Sequence, residues 1–138
     1  MSKKNLIFIK SGNRFCLDKE LILACAQKTL KKYGYSQGVE LSIIFVGVKR
    51  AKALNQKYRQ MDYIPQVLGF PMSKKEDVDG YIRLGDIVIC TRKLLREVIY
   101  QKSDLKTVLQ SWLDHGLENL LKGWLIQRFI LIKRWGSG

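Results

Sequence analysis

Apolar and polar positions alternate along the chain in blocks that predict four strands and four helices. Nearly continuous apolar runs, rich in β-branched residues, predict strands at Leu6–Ile9, Glu40–Val48, Val67–Phe70 and Tyr81–Ile89. Apolar residues three and four positions apart predict helices at Leu21–Tyr33, Lys49–Arg59, Leu94–Ile99 and Asp104–Lys122. This order of elements is typical of an α+β domain, in which helices pack on a mixed sheet of about four strands.

Capping residues and turns mark the ends of these elements. Asp18 and Asp104 stand where the first and last predicted helices begin, and Gly34 stands where the first one ends. Connections are expected at Asn13–Cys16, Asp62–Pro65 and Ser73–Gly80. Because the sequence shows neither an internal repeat nor a linker, we expect residues 1–138 to form a single domain.

Two of the predicted helices have a recognisable inner face. In Lys49–Arg59 this face carries Ala53, Leu54 and Tyr58. The inner face of the last helix consists of Leu105, Val108, Leu109, Trp112, Leu113, Leu117, Leu120 and Leu121. The segment Trp124–Trp135 that follows is basic and apolar on several sides, and we expect it to form a last helix that covers the sheet.

The charge balance indicates the kind of partner. The chain has 25 Lys and Arg residues against 12 Asp and Glu, a formal net charge of +13 on 138 residues. Because such a charge repels itself in a folded domain, we expect a polyanion as partner, with nucleic acid before an anionic membrane surface. A basic protein without such a partner is the alternative. An apolar fraction of 46% excludes a disordered chain, and no apolar run approaches the ~18 residues of a membrane span.

The cysteines and the first residues bear on the compartment. Cys16, Cys25 and Cys90 are odd in number and widely spaced, so they form neither a disulfide framework nor a metal knuckle. The apolar run near the start, Leu6–Ile9, is too short for a signal peptide. We therefore expect a reducing compartment, the cytoplasm.

The only histidine, His115, lies in the last predicted helix. Glu118 and Asn119 follow three and four positions later, close to the same helix face. An imidazole is suited to acid–base and metal chemistry, whereas a lone histidine among Leu and Trp is more often a packed or capping residue. Asp114 and Glu118 form a pair of carboxylates, which on a basic protein more often serve as partners of lysines.

The predicted helix Lys49–Arg59 concentrates positive charge, with five cations in eleven residues. In a helix Arg59 lies near Asn55 and Lys52, and this face is suited to a phosphate. The other cations of the segment are Lys49, Arg50 and Lys57. A merely solvated helix face is the alternative, and the segment alone does not decide between the two.

Four pieces of sequence occur in an order and at spacings that match a known family. They are L-S-I-I-F-V with the following helix residues Leu54, Asn55, Tyr58 and Arg59; Asp62, Val67-Leu68 and Phe70-Pro71; L-G-D-I-V-I at Leu84–Ile89; and His115-Gly116. Over Leu41–Gly116 the chain resembles the YbeY family of bacterial ribosomal-RNA maturation factors. The resemblance implies an α+β fold, metal-dependent cleavage of single-stranded RNA, and ribosomal RNA or the small ribosomal subunit as partner.

The resemblance also implies a zinc site, and the sequence departs from the family there. The family's ligands are the three histidines of H-G-x-L-H-L-x-G-x-D-H, and their positions here hold His115, Asn119 and Leu125. Because a protein zinc site normally takes at least three protein donors, a three-histidine site within one chain is excluded. We expect no zinc and at most a weakly held divalent ion.

A second departure lies in the family's P-T-D-V-L-S-F-P stretch, where Gln66 replaces the acidic residue. Ile64, Pro65 and Gly69 also differ there. A frameshift near codon 118 would account for the residues after Gly116. Divergence that relaxed the metal chemistry would account for them and for Gln66 as well, so divergence is favoured.

The first functional interpretation is a factor for ribosomal-RNA maturation whose cleavage activity is weakened or lost. In it, single-stranded RNA binds to Arg59, with help from Lys52, Lys57 and Arg50, and Arg59 and His115 occupy the catalytic positions.

Two other interpretations remain open. One is an active endoribonuclease with a rebuilt metal site, in which His115, Glu118 and Asn119 hold a Mg²⁺- or Mn²⁺-like ion. The other is a cationic interaction module that uses the basic and aromatic segment Trp124–Trp135.

Overall fold

The computed structural model of the chain describes residues 3–12, 17–72 and 75–136, with the backbone alone from residue 123 onward. The elements are β1 (Leu6–Ser11), α1 (Lys19–Lys32), β2 (Val39–Val46), α2 (Val48–Arg59), β3 (Val67–Pro71), β4 (Ile82–Cys90), α3 (Thr91–Gln101) and α4 (Leu105–Gly136). The predicted α+β class and the predicted order of strands and helices are confirmed. The predicted connection Asn13–Cys16 lies outside the described residues.

The four strands form one mixed sheet in the order β1-β2-β4-β3. The pairs β1/β2 and β2/β4 are parallel, and β3 runs antiparallel to β4. Because β2 and β4 are central and covered by helices, their sequences are nearly continuous apolar runs. Strand β3 forms one edge of the sheet.

The two faces of the sheet carry different helices. Leu41 and Ile87 belong to the larger core, which also contains buried residues of α1, α3 and α4. Val46 and Val88 belong to a smaller core on the other face, where Ala51 of α2 packs. Helices α2 and α4 therefore lie on opposite faces of the sheet.

Helix α4 packs very closely against edge strand β3. A Cβ atom at Gly69 would lie 3.2 Å from the carbonyl oxygen of Gly116 and 3.2 Å from the amide nitrogen of Leu120. A Cβ atom at Gly116 would in turn lie 2.9 Å from Cγ2 of Ile87 and 3.1 Å from Cγ2 of Val67. The absence of side chains at both glycines allows this close approach.

The predicted caps are confirmed. Asp18 Oδ1 accepts hydrogen bonds from the backbone N–H groups of Glu20 (3.0 Å) and Leu21 (3.4 Å) at the start of α1. Asp104 Oδ1 accepts one from Thr107 (2.7 Å) at the start of α4. These caps satisfy amide groups that have no partner within the helix.

The predicted inner face of α2 is wrong in part. Ala51 and Asn55 are the buried residues of α2, whereas Ala53 and Tyr58 are exposed. Leu54 is half-buried, as the prediction requires. The contact of α2 with the sheet is narrow and includes a small residue and an amide, so apolar spacing alone did not identify it.

Three predicted boundaries also change. The second strand ends at Val46, because Gly47 caps α2 and the chain turns there into the helix. Helix α3 begins at Thr91, directly after β4, and not at the predicted Leu94. The backbone of α4 is one helix to Gly136, so no separate last helix follows Lys122. Within the described ranges, no helix combines the length and apolar character needed to cross a membrane.

Candidate functional site

Helix α2 contains no acidic residue and presents a cationic surface. Its exposed cations are Lys49, Arg50, Lys52, Lys57 and Arg59. The ammonium group of Lys52 lies 3.7 Å from the carboxylate of Asp62, and that of Lys57 lies 5.2 Å from the ring centroid of Tyr58. Because the Lys52–Asp62 pair is exposed to solvent, it is weak and easily exchanged. The surface is therefore suited to a polyanion.

Arg59 is held in place at the end of α2 by a buried side chain. Asn55 is completely buried, and its Oδ1 accepts a hydrogen bond from Nη1 of Arg59 at 3.2 Å. The hydroxyl group of Tyr63 accepts a second hydrogen bond from the same Nη1 at 3.2 Å. Both described contacts use Nη1, so the Nε–H and Nη2–H donors remain for an external anion.

The amide of Asn55 also fixes the loop that follows α2. Its Nδ2 donates a hydrogen bond to the backbone carbonyl of Tyr63 at 3.0 Å, and its own backbone carbonyl accepts one from Met61 at 3.4 Å. The predicted proximity of Arg59 and Asn55 is confirmed, whereas the part played by Tyr63 was missed. The available signal was a tyrosine four positions after Arg59, but the helix ends between them.

His115 and Asn119 lie one turn apart on α4, and both are exposed. Glu118, between them, forms an ion pair with Lys122 at 2.9 Å. The hydrogen bond and the charge of Lys122 lower the pKa of Glu118, with a smaller contribution from His115. The three donors of a possible rebuilt site are thus near one another, but Glu118 is engaged by a lysine.

The donors at the family's ligand positions do not fit zinc. Leu125 has no donor atom, and in the continuous helix α4 its backbone lies about 15 Å along the axis from His115. A zinc–nitrogen bond is about 2 Å long, so positions 115 and 125 of such a helix do not share one ion. In the part of the chain that the structure describes, no group of three His, Cys, Asp or Glu residues is placed to hold a metal.

Asp114 joins α4 to α1 and takes no part in a carboxylate pair. Partial burial acts to raise its pKa, but hydrogen bonds from Thr29 (2.6 Å), Lys32 (3.1 Å) and Gln110 (3.2 Å) outweigh burial and lower the pKa. The carboxylates of Asp114 and Glu118 are both ion-paired with lysines. This result agrees with the expectation that the two carboxylates serve as partners of lysines.

The structure does not bring Arg59 and His115 together. Arg59 ends α2 on one face of the sheet, and His115 lies on α4 over the other face, beside a groove that α1 helps to form. Edge strand β3 lies between the two helices, because Phe70 contacts Tyr58 of α2 while Gly69 faces α4. A ligand that reached both predicted positions would have to cross this edge.

The fold and the site define a small α+β domain with a cationic surface on helix α2. The chain belongs to the endoribonuclease YbeY family, whose model matches residues 12–122. Endoribonuclease YbeY of Acinetobacter baumannii (strain ATCC 17978) is 34% identical over 98 residues, covering 69% of this chain and 62% of that protein. The protein of the same name from Ruthia magnifica is 32% identical over 118 residues, covering 86% of this chain and 77% of that protein.

The chain thus spans about three fifths of the length of its Acinetobacter relatives. Among solved structures, the solution structure of TM1509 from Thermotoga maritima matches with a TM-score of 0.55 and 21% identity. The match covers 83% of this chain and 71% of that one. At this identity the likeness bears on the fold alone, and it agrees with the predicted fold. The predicted family is confirmed, and the family match extends beyond the predicted range Leu41–Gly116.

Proposed function

We propose that this chain binds single-stranded RNA, with ribosomal RNA as its natural ligand, and that metal-dependent cleavage is weakened or lost in it. The observation that carries the proposal is the guanidinium group of Arg59, which is exposed and fixed on one side by buried Asn55, with Nε and Nη2 unused by any contact in the part of the chain that the structure describes. Two N–H groups of a planar guanidinium group can donate hydrogen bonds to two oxygens of one phosphate. Membership of the endoribonuclease YbeY family supports RNA as the polyanion.

The anchoring of Arg59 favours binding for an energetic reason. A free arginine loses rotamer freedom when it binds a phosphate, and that loss opposes binding. The contacts with Asn55 and Tyr63 restrict the side chain before the ligand arrives. Arg50, Lys52 and Lys57 add positive charge that attracts the phosphates of the RNA backbone, but their contacts are less directional than those of Arg59.

The donor chemistry on α4 supports the loss of cleavage. His115 supplies one imidazole, Asn119 supplies a weak amide oxygen, and Leu125 supplies nothing. A rebuilt site would require Glu118 to exchange its ion pair with Lys122 for a metal ion. We also propose that this RNA belongs to the small ribosomal subunit and that the protein acts in the cytoplasm.

The test compares binding of a short single-stranded RNA by the wild-type chain, Arg59→Ala, Arg59→Lys and Lys31→Ala. Lys31 is an exposed cation of α1, over the opposite face of the sheet from α2.

Affinity should fall steeply as salt rises. Arg59→Ala should cost about 1–3 kcal/mol because a hydrogen-bonded charge pair is lost. Arg59→Lys should recover only part of the loss, and Lys31→Ala should cost little. Equal, small losses in all variants would contradict the assignment of Arg59.

Cleavage is tested by incubating the same RNA with the protein and Zn²⁺, Mg²⁺ or Mn²⁺. We expect no product above the level seen without protein. A product that forms with one of these ions and disappears in His115→Ala would instead support an active nuclease with a rebuilt metal site.

A further inference from the structure

Three aromatic residues surround the end of α2, and they differ in what their rings contact. The ring of Tyr58 packs edge to face with that of Phe70, with centroids 5.1 Å apart and planes at 71°. The ammonium group of Lys57 lies 5.2 Å from the centroid of the same Tyr58 ring. The ring of Tyr63 makes no such contact with any described residue, and this residue is 48% exposed. Tyr58 is similarly exposed (52%), but Phe70 and Lys57 contact its ring, so Tyr63 is the exposed ring of this surface that has no such contact among the described residues.

Tyr63 is nevertheless held by hydrogen bonds at two points. Its backbone carbonyl accepts from Nδ2 of Asn55 at 3.0 Å, and its hydroxyl group accepts from Nη1 of Arg59 at 3.2 Å. An exposed ring that is fixed in this way loses little conformational entropy when another flat group stacks on it. The hydroxyl contact also places the ring directly beside the guanidinium group that is available for a phosphate.

A flat ring next to a phosphate-binding cation matches the chemistry of an unpaired nucleotide. Every base has a π-face that stacks on an aromatic side chain, whereas a duplex keeps those faces inside its own stack. We propose that Tyr63 stacks on an unpaired base while Arg59 binds a neighbouring phosphate, so that this pair selects single strands. The inference rests on the proposed RNA binding and extends it to the feature of the ligand that is recognised.

The experiment uses the full chain and three variants, Tyr63→Ala, Tyr63→Phe and Tyr100→Ala. Tyr63→Phe keeps the ring and removes the hydroxyl group. Tyr100→Ala makes the same change at a tyrosine of α3 that is 83% exposed. The probes are a short single-stranded RNA, an oligomer of equal length that lacks bases, and a duplex of the same sequence.

Tyr63→Ala should weaken binding of the single strand about 5- to 100-fold, the range expected for loss of one base–aromatic stack. Tyr63→Phe keeps the ring but loses the hydrogen bond to Arg59, so it should lose much less affinity than Tyr63→Ala. Tyr100→Ala should bind the single strand like the wild type. Binding of the base-free oligomer should be weaker than that of RNA in the wild type, and Tyr63→Ala should weaken it no more than Tyr63→Phe does. The salt dependence should stay the same in all three variants, because none removes a charge.

A fluorescent base in the single strand gives a second measurement that does not depend on a folded alanine variant. The fluorescence of 2-aminopurine should be quenched on binding to the wild type and to Tyr63→Phe. No quenching, or equal affinity of the wild type for RNA and the base-free oligomer, would overturn the stacking proposal. So would a loss in Tyr63→Phe as large as in Tyr63→Ala, because the hydroxyl group would then be the important part. If the wild type bound no single-stranded RNA at all, the proposed function itself would fail.

Discussion

Oδ1 of Asn55 lies 3.2 Å from Nη1 of Arg59, and the asparagine that makes this contact has no exposed surface. The two residues are one helical turn apart on α2, so their side chains lie on neighbouring positions of the helix surface. The buried amide is satisfied at both ends, since its Nδ2 donates to the carbonyl of Tyr63. A core residue thereby orients a surface residue and ties the following loop to the helix.

Replacing Asn55 by alanine should lower stability and weaken RNA binding at the same time. The carbonyl of Tyr63 would lose its donor in a partly buried setting, and we expect a loss of about 1–3 kcal/mol in the free energy of unfolding. Affinity for single-stranded RNA should fall less than in Arg59→Ala, because the charge of Arg59 remains. Urea denaturation and RNA titration measure the two effects.

The matched control is Gln56→Ala, an exposed amide at the next position of α2. It should change neither stability nor affinity appreciably. An unchanged urea midpoint in Asn55→Ala would show that the buried amide is not a structural anchor.

The sheet was predictable because its two central strands contain nearly continuous apolar runs rich in β-branched residues. Leu84–Ile89 and Leu41–Val46 pack on helices on both faces over much of their length, and short β-branched runs of this kind are typical of buried strands. The buried face of α2 could not be predicted from the spacing of apolar residues alone. The backbone carbonyl of Tyr63 satisfies the amide group of buried Asn55, and that partner is set by the tertiary structure.

In the candidate site, only contacts between residues close in sequence could be predicted. The contact between Arg59 and Asn55 follows from their spacing in a helix. The separation of Arg59 from His115 does not, because it depends on which face of the sheet each helix covers. That choice results from the strand order β1-β2-β4-β3, which involves pairings far apart in sequence.

Asp114→Asn should lower stability at neutral pH, and its effect should disappear in acid. Hydrogen bonds from Thr29, Lys32 and Gln110 outweigh burial and lower the pKa of Asp114 in the folded chain. An unfolded aspartate titrates near pH 4, so the ionised carboxylate stabilises the fold above that pH. The stabilisation is lost as the pH falls through the lower, folded-state pKa. We expect a difference of about 1 kcal/mol at pH 7, measured by urea denaturation across the pH range.

Asp62→Asn is the control for this prediction, because Asp62 forms an exposed pair with Lys52. It should change the free energy of unfolding by little at any pH. A difference between wild type and Asp114→Asn that stayed constant down to pH 2 would mean that the charge of Asp114 does not stabilise the fold.

Gly69→Ala should destabilise the domain by about 1–3 kcal/mol through overpacking. The new Cβ would press on backbone atoms of Gly116 and Leu120, and the backbone of a packed helix cannot yield as a side chain does. Gly12→Ala is the control, since a Cβ there meets nothing within 4 Å. Thermal melting of both variants tests the prediction, and equal melting temperatures would show that α4 tolerates a displacement from β3.

Gly116→Ala is expected to be milder than Gly69→Ala. Its Cβ would lie 2.9 Å from Cγ2 of Ile87 and 3.1 Å from Cγ2 of Val67, so it would press on side-chain methyl groups and not on the backbone of a packed element. Alanine also favours a helix over glycine by about 1 kcal/mol, which opposes the cost of the contact. A larger loss in Gly116→Ala than in Gly69→Ala would contradict this ranking.

The purified chain should contain no stoichiometric zinc, and a chelator should leave its melting temperature unchanged. One imidazole, at His115, with an amide at Asn119 and no donor at Leu125, does not make a zinc site. The strands and helices bury their own apolar faces, so the fold does not need a metal. Elemental analysis and melting curves with and without chelator measure both outcomes.

Asn119→His provides the positive control for that measurement. It places two imidazoles four residues apart on α4, a spacing that binds zinc more tightly than a single histidine. Added zinc should therefore raise the melting temperature of Asn119→His, because a ligand that binds the folded state stabilises it. The same zinc should leave the wild type unaffected. About one zinc per wild-type chain that is lost in His115→Ala, or a fall of several degrees on chelation, would show that His115 still belongs to a metal site.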